Sequence, residues 1–387
     1  MGDLVVRNIG AIATGDISAP IASGDTIVVR GGLIASVGHS EGTDAEGIAT
    51  VIDAAGATVM PGMCDDHVHP VLGDYTPRQQ QLDWIDSCLH GGVTTMLSAG
   101  EPHLPGRPTD PAGVKALAIL AQGSFANLRP SGVKVHAGAV LLEEGLTEAD
   151  FAEMAAAGVH LVGEIGISGV KDPEVAAQMA RWAQAVGMNV MVHTGGASIP
   201  GSGIIGADFV IAVKPDVAAH VNGGPTALPL DHVVRILGET DARVEIVHNG
   251  NVKAAGDVAA LVASRGELHR LVIGTDSPAG SGVQPLGMLR VVSWVSALGG
   301  VEPSIAVAAA TGNVAAMHGL NVGVIAPGRE ADLLVVDAPL GSQADDALGA
   351  FAIGDTPAVA VAVIDGKVRL SKSRNTPPPV RPISVSG

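Results

Sequence analysis

A chain of 387 residues, 47% of them hydrophobic, can fill a large core, but with only 2% aromatic residues that core must be built from Val, Ile, Leu, Ala and Met. The net charge of -17 excludes nucleic acid as a partner and repels anions at long range, so an anionic substrate needs a local arginine or metal. Two cysteines, Cys64 and Cys88, are too few for a disulfide framework, and no run of about 20 apolar residues exists to span a bilayer; the expectation is a cytoplasmic protein.

The first 20 residues carry Asp3, Arg7 and Asp16 inside their apolar pattern, so they lack the cationic head and unbroken apolar body of a signal peptide. From Leu4 to Ile52, short apolar runs alternate with turns, as in an antiparallel sheet. The same character returns at 331–337, 358–364 and 367–370, with Asp365-Gly366 as a hairpin turn. Both ends of the chain are therefore expected to build one small β-sandwich domain, residues 1–58 and 322–387. Beyond Ser371, the segment with Pro377-Pro378-Pro379 reads as an extended arm that lies on a neighbour or is mobile.

Between these ends the rhythm changes. Val/Ile-rich runs ending near His69, Ala99, Ala137, Gly166, Thr194, Asn222, Asn249 and Ser277 alternate with Ala-rich segments of helical period. Eight such units predict an α/β fold, a (β/α)8 TIM barrel over 59–321, with the reaction face at the strand C-termini. A last helix over 303–320 is assigned to packing, and its His318, with His39, His90, His103, His160, His232 and His269, is expected to face solvent.

The stretch that organises the chain is Pro61-Gly62 followed by His67-Val68-His69. Histidines at i and i+2 on a strand share a face and can chelate one ion. A bare pair is a weak signal; its weight comes from polar residues at the ends of later apolar runs. These are His136, Glu164, His193, His220, His248 and Asp276.

His67-Val68-His69 after Pro61-Gly62, the later single His193 and His220, Asp276 on the last strand and the stretch 323–333 together resemble the amidohydrolase superfamily over nearly the whole chain. The resemblance implies that His67, His69 and Asp276 hold one divalent ion and His193 and His220 a second, zinc and iron or two zinc ions. Its bridging position, on the fourth strand, is often a carboxylated lysine; here that strand offers Glu164, with Lys134 on the third strand as a lysine-bridged alternative. Two ions about 3.5–4 Å apart share a water and lower its pKa to roughly 7, which makes hydroxide the expected nucleophile. Asp276 is then the expected general acid–base, passing the proton to the leaving nitrogen.

Longer stretches resemble the enamidase branch of that superfamily, among them 73–79, 89–96, 132–136, 193–201, 220–226 and 371–378. That resemblance implies opening of 6-oxo-1,4,5,6-tetrahydronicotinate to 2-formylglutarate and ammonia in nicotinate breakdown, by a homotetramer. Other cyclic-amide hydrolases, hydantoinase-, dihydroorotase- or imidazolonepropionase-like, share the ligand set and remain the alternative; a non-catalytic scaffold is the remaining one. For the substrate carboxylate the candidates are Arg78, Arg107 and the Gly195-Gly196 turn, while His136 and His248 are candidate substrate contacts.

Overall fold

The structure is a computed structural model that describes residues 2–41, 47–70, 78–102, 104, 106–197, 203–223, 226–278 and 282–387, with the side chains of 78–82 outside that description. Eight parallel strands form its centre: β1 (Met63–Val68), β2 (Val93–Ser98), β3 (Lys134–His136), β4 (Leu161–Ile165), β5 (Asn189–Val192), β6 (Val217–Ala218), β7 (Arg243–Val247) and β8 (Leu271–Gly274). Each is followed by a helix: α1 (Arg78–Leu89), α2 (Pro111–Asn127), α3 (Glu148–Ala156), α4 (Pro173–Ala185), α5 (Ala207–Val213), α6 (Leu230–Glu239), α7 (Val252–Ser264) and α8 (Gly287–Ala297).

Local sequence explains the alternation. The strands are apolar runs buried on both faces, as parallel strands must be when helices cover them. The loops entering the helices end in capping residues. Asp110 accepts from Gly113 N–H at α2, Asp172 from Glu174 and Val175 N–H at α4, and Asn251 from Ala254 N–H at α7. Each cap satisfies amides that the first helical turn leaves without partners.

β1–β3 form one sheet and β4–β8 another. Parallel bridges join them at both edges, Val140 to Val162 and Val68 to Ser277. At the second junction His69 N–H donates to Ser277 O at 3.1 Å and Asp276 N–H to His67 O at 2.8 Å. That junction brings the ends of β1 and β8 together.

Residues from both chain ends form two further sheets. One orders Ser384–Ser386, Thr50–Asp53, Leu4–Arg7, Thr26–Arg30 and Leu33–Gly38. The other orders Lys367–Leu370, Ala358–Ile364, Leu333–Asp337, Thr58–Pro61, Ala11–Ala13 and Ile21–Ala22. Leu4, Val6, Ile27 and Ile52 of the first share an apolar cluster with Ile12, Val59, Leu333 and Val363 of the second. Thr58–Pro61 pairs with Leu333–Asp337 and leads into β1 after Gly62, so this small sheet extends past residue 58.

Three expectations change. The segment 303–320 is two helices, Pro303–Ala309 and Gly312–Met317, broken at Thr311 where φ is -138° and ψ -87°. The tail packs on its own chain: Ser373 Oγ donates to His90 O at 2.7 Å and Arg374 pairs with Asp86 at 2.7 Å. Lys134 lies at the start of β3, where its Nζ meets Glu330 and Asp332 at 2.6 Å each and Asp365 at 3.1 Å. Engaged there at the N-terminal end of its strand, it does not bridge the cluster, and the lysine-bridged variant falls. Among the described residues no helix is long and apolar enough to cross a membrane.

Candidate metal centre

His67, His69, Glu164, His193, His220 and Asp276 converge from five elements at the C-terminal ends of the parallel strands. Glu164 is central. Its Oε2 lies 3.6 Å from His67 Nε2 and 3.8 Å from His69 Nε2, while its Oε1 lies 2.8 Å from His193 Nδ1 and 2.7 Å from His220 Nε2. One carboxylate thus turns one oxygen toward each histidine pair. Asp276 Oδ1 completes the first side, 3.1 Å from His69 Nε2 and 3.7 Å from His67 Nε2.

Backbone geometry contributes to this convergence. His220 and Asp276 have φ of +33° and +56°, the left-handed region that side chains rarely adopt and that clusters at functional sites. β8 approaches β1 closely: a Cβ on Gly274 would lie 2.7 Å from His67 Cβ, so only glycine allows the strands to meet here.

Burial alone would push the Glu164 carboxyl up, but the His67 charge and hydrogen bonds from His193 and His220 hold it well below the usual carboxylate range. Burial likewise opposes charge on His67, yet the Glu245 and Glu164 carboxylates raise it well above the ordinary imidazole value. Both directions say that the carboxylates create a field favouring positive charge at the centre.

Glu245, on β7, escapes a reading based on strand ends. It is fully buried, its Oε2 accepting from His67 Nδ1 at 2.8 Å and from His220 N–H at 3.0 Å. Its signal is a lone charge inside Val244-Glu245-Ile246-Val247. Asp65 also goes unread: it takes the Thr275 N–H at 2.8 Å and the Thr275 hydroxyl at 2.6 Å, fastening β1 to the chain just before Asp276. Contrary to the solvent-facing expectation, the His318 side chain is buried. Its Nε2 donates to Asp66 at 2.6 Å, with Nδ1 3.0 Å from Asn189 Nδ2.

Several candidates have contacts of their own. His136, the last residue of β3, packs edge to face on His160, which precedes β4, and is not among the converging residues. His248 stacks on the Trp294 indole of α8, with centroids 5.1 Å apart at 21°. Arg107 is bound to Glu143 at 2.7 Å. The Gly195 amide donates to Ile205 O at 2.9 Å and the Gly196 amide to Thr226 O at 3.5 Å. The Arg78 side chain, His103 and the stretch 198–201 lie outside the described residues.

A model of the amidohydrolase family matches residues 58–369, most of the chain and all six converging residues. The chain belongs to this family. It is 54% identical over 385 residues to an enamidase of Eubacterium barkeri, with 100% of both chains covered. It also matches an enamidase crystal structure with a TM-score of 0.95, covering 99% of this chain and 100% of that one. Adenine deaminase 3 of Rhizobium meliloti is 32% identical over 356 residues, which span 86% of this chain and 54% of the deaminase.

The family implies divalent metal ions, and the donors of this amidohydrolase fit them. His67 Nδ1–H is committed to Glu245 and His69 Nδ1–H to the Gly100 carbonyl at 2.8 Å, which leaves both Nε2 lone pairs facing the carboxylates. His67 Nε2 and His220 Nδ1 are buried without hydrogen-bond partners. Imidazole and carboxylate together suit zinc or ferrous iron.

Proposed function

We propose that this amidohydrolase hydrolyses a cyclic amide in the manner of an enamidase, opening 6-oxo-1,4,5,6-tetrahydronicotinate to 2-formylglutarate and ammonia. The observation that carries the reading is the 54% identity to an enamidase across both whole chains, loops included. Loops matter because substrate choice in such folds resides in the connections after the strands. The supporting architecture we propose is a (β/α)8 barrel that begins after Pro61, consistent with the Val68–Ser277 and Val140–Val162 bridges between its two sheets, beside a small β-sandwich of both chain ends that includes Thr58–Pro61.

His67, His69 and Asp276 would hold one ion, His193 and His220 the other, with Glu164 between them. Zinc and iron are the proposed pair. When bound, the ions supply Lewis acidity toward the amide carbonyl and acidify the attacking water. Asp276, 15% exposed at the edge of the cluster, takes the proton from that water and gives it to the ring nitrogen as the C–N bond breaks. The nitrogen departs as an enamine, which tautomerises to an imine; a second water releases ammonia and leaves the aldehyde. Arg78 is the proposed partner of the substrate carboxylate, since Arg107 is held by Glu143. A cytoplasmic homotetramer is the proposed state, and two buried free cysteines are consistent with a reducing compartment.

The test is turnover of 6-oxo-1,4,5,6-tetrahydronicotinate by purified enzyme of known metal content, read as ammonia release. Silence with that lactam but turnover of hydantoin, dihydroorotate, imidazolonepropionate or adenine would overturn the assignment.

A further inference from the structure

A second pair of imidazoles, His136 at the end of β3 and His160 just before β4, lies outside the six-residue cluster. His160 immediately precedes β4, and His136 stands four residues before the Val140–Val162 bridge. Their rings meet edge to face, with centroids 5.5 Å apart and an interplanar angle of 81°. Imidazole pairs inside the six-residue cluster have nearly the same spacing: 5.1 Å for His67–His69, 5.4 Å for His67–His220 and 4.6 Å for His193–His220.

The proton position on His160 suits ligation. His160 Nδ1–H donates to the Gly158 carbonyl at 3.1 Å, which places the lone pair on Nε2, and that nitrogen is buried without a partner. Burial pushes His136 down to about 4 and lowers His160, so both rings are neutral near pH 7. A cavity of about 530 Å³ opens beside both rings, with Phe125 and Asn321 in its wall. Lys134 and Arg129 also face it, but they are paired with Glu330, Asp332 and Asp365. In the cavity wall itself Glu330 and Asp365 offset Lys134 and Arg129, so the lining carries no net positive charge to repel a dication.

We propose that His136 and His160 form a further transition-metal site, taking a borderline ion such as Cu²⁺, Zn²⁺ or Ni²⁺ through two imidazole nitrogens, with cavity water completing the coordination. Two protein ligands hold an ion less firmly than the six-residue cluster, so this site fills after the cluster. An ion there ties β3 to the entrance of β4 and stabilises the fold in proportion to its own concentration.

The test loads the cluster of the whole chain with Zn²⁺, removes excess ion and titrates Cu²⁺. Equilibrium dialysis counts binding, and electron paramagnetic resonance reads the ligands. We expect one additional equivalent of copper showing nitrogen hyperfine coupling from two imidazoles, no released Zn²⁺, and no equivalent uptake of Mg²⁺. The additional copper is lost in His136→Phe and in His160→Phe, whose folding is checked by circular dichroism. His160→Gln, a smaller change with a poor copper ligand, decides the point if a Phe variant fails to fold. Absence of the additional equivalent in the wild type, its survival in any folded variant, or stoichiometric release of Zn²⁺ overturns the proposal.

Discussion

Glu245 Oε2 accepts hydrogen bonds from both His67 Nδ1–H, at 2.8 Å, and the His220 backbone N–H, at 3.0 Å. A single buried oxygen therefore orients one member of each histidine pair. Glu245→Gln keeps the shape and removes the charge that sustains basicity at His67 Nε2. We expect metal affinity to fall roughly 10- to 100-fold, with activity recovered by added metal. Metal retention against a graded chelator measures this; retention equal to that of the wild type would remove Glu245 from the role.

Asp276 combines ligation with proton transfer, and its φ of +56° is one that asparagine tolerates. Asp276→Asn should therefore fold normally while losing its capacity to carry a proton. The expected loss in kcat is about 10²- to 10⁴-fold, larger than any loss of bound metal. Parallel measurement of kcat and metal content separates the two effects, and an active, metal-replete Asn variant would transfer the acid–base role to another group.

Lys134 is 13% exposed and sits against the fully buried Asp332 carboxylate. Removing the lysine strands that carboxylate, and breaking a buried pair in this way costs about 3–5 kcal/mol. Lys134→Met is expected to unfold at lower urea concentration yet keep its full metal complement. Loss of metal without loss of stability would restore the lysine-bridged centre rejected above.

His248 is pushed down to about 4 by burial and then by Arg290. Its folded value lies below the unfolded value of about 6.5, so between these limits the unfolded chain binds more protons. Stability consequently falls as pH drops from about 6.5 to about 4 and levels off below. His248→Phe retains the stack on Trp294 and should make that dependence shallower by up to one proton. Urea unfolding across this window tests it; identical slopes would show that His248 titrates normally.

The alternation of apolar strand and Ala-rich helix, and all six residues of the cluster, could be read from sequence because strand ends carry the polar residues. What stayed hidden depends on where a strand's register stops. His136 is a strand end, the last residue of β3, yet its ring packs on His160 ahead of β4, and the chain bridges β4 only at Val140. Glu245 and Asp66 belong to strand interiors, where one charge among apolar neighbours gives no hint of its partner. Lys134 found carboxylates nearly 200 residues later in the chain, and His318 found Asp66 across a similar distance. No local pattern encodes such meetings.

Thr58–Pro61 is held by Leu333–Asp337, and only Gly62 separates it from the strand bearing His67. During synthesis all six ligands leave the ribosome before the segment that anchors the first of their strands. A nascent chain stalled near residue 320 would own every donor and lack that anchor, so the strand bearing His67 is fastened only once 333–337 has been made.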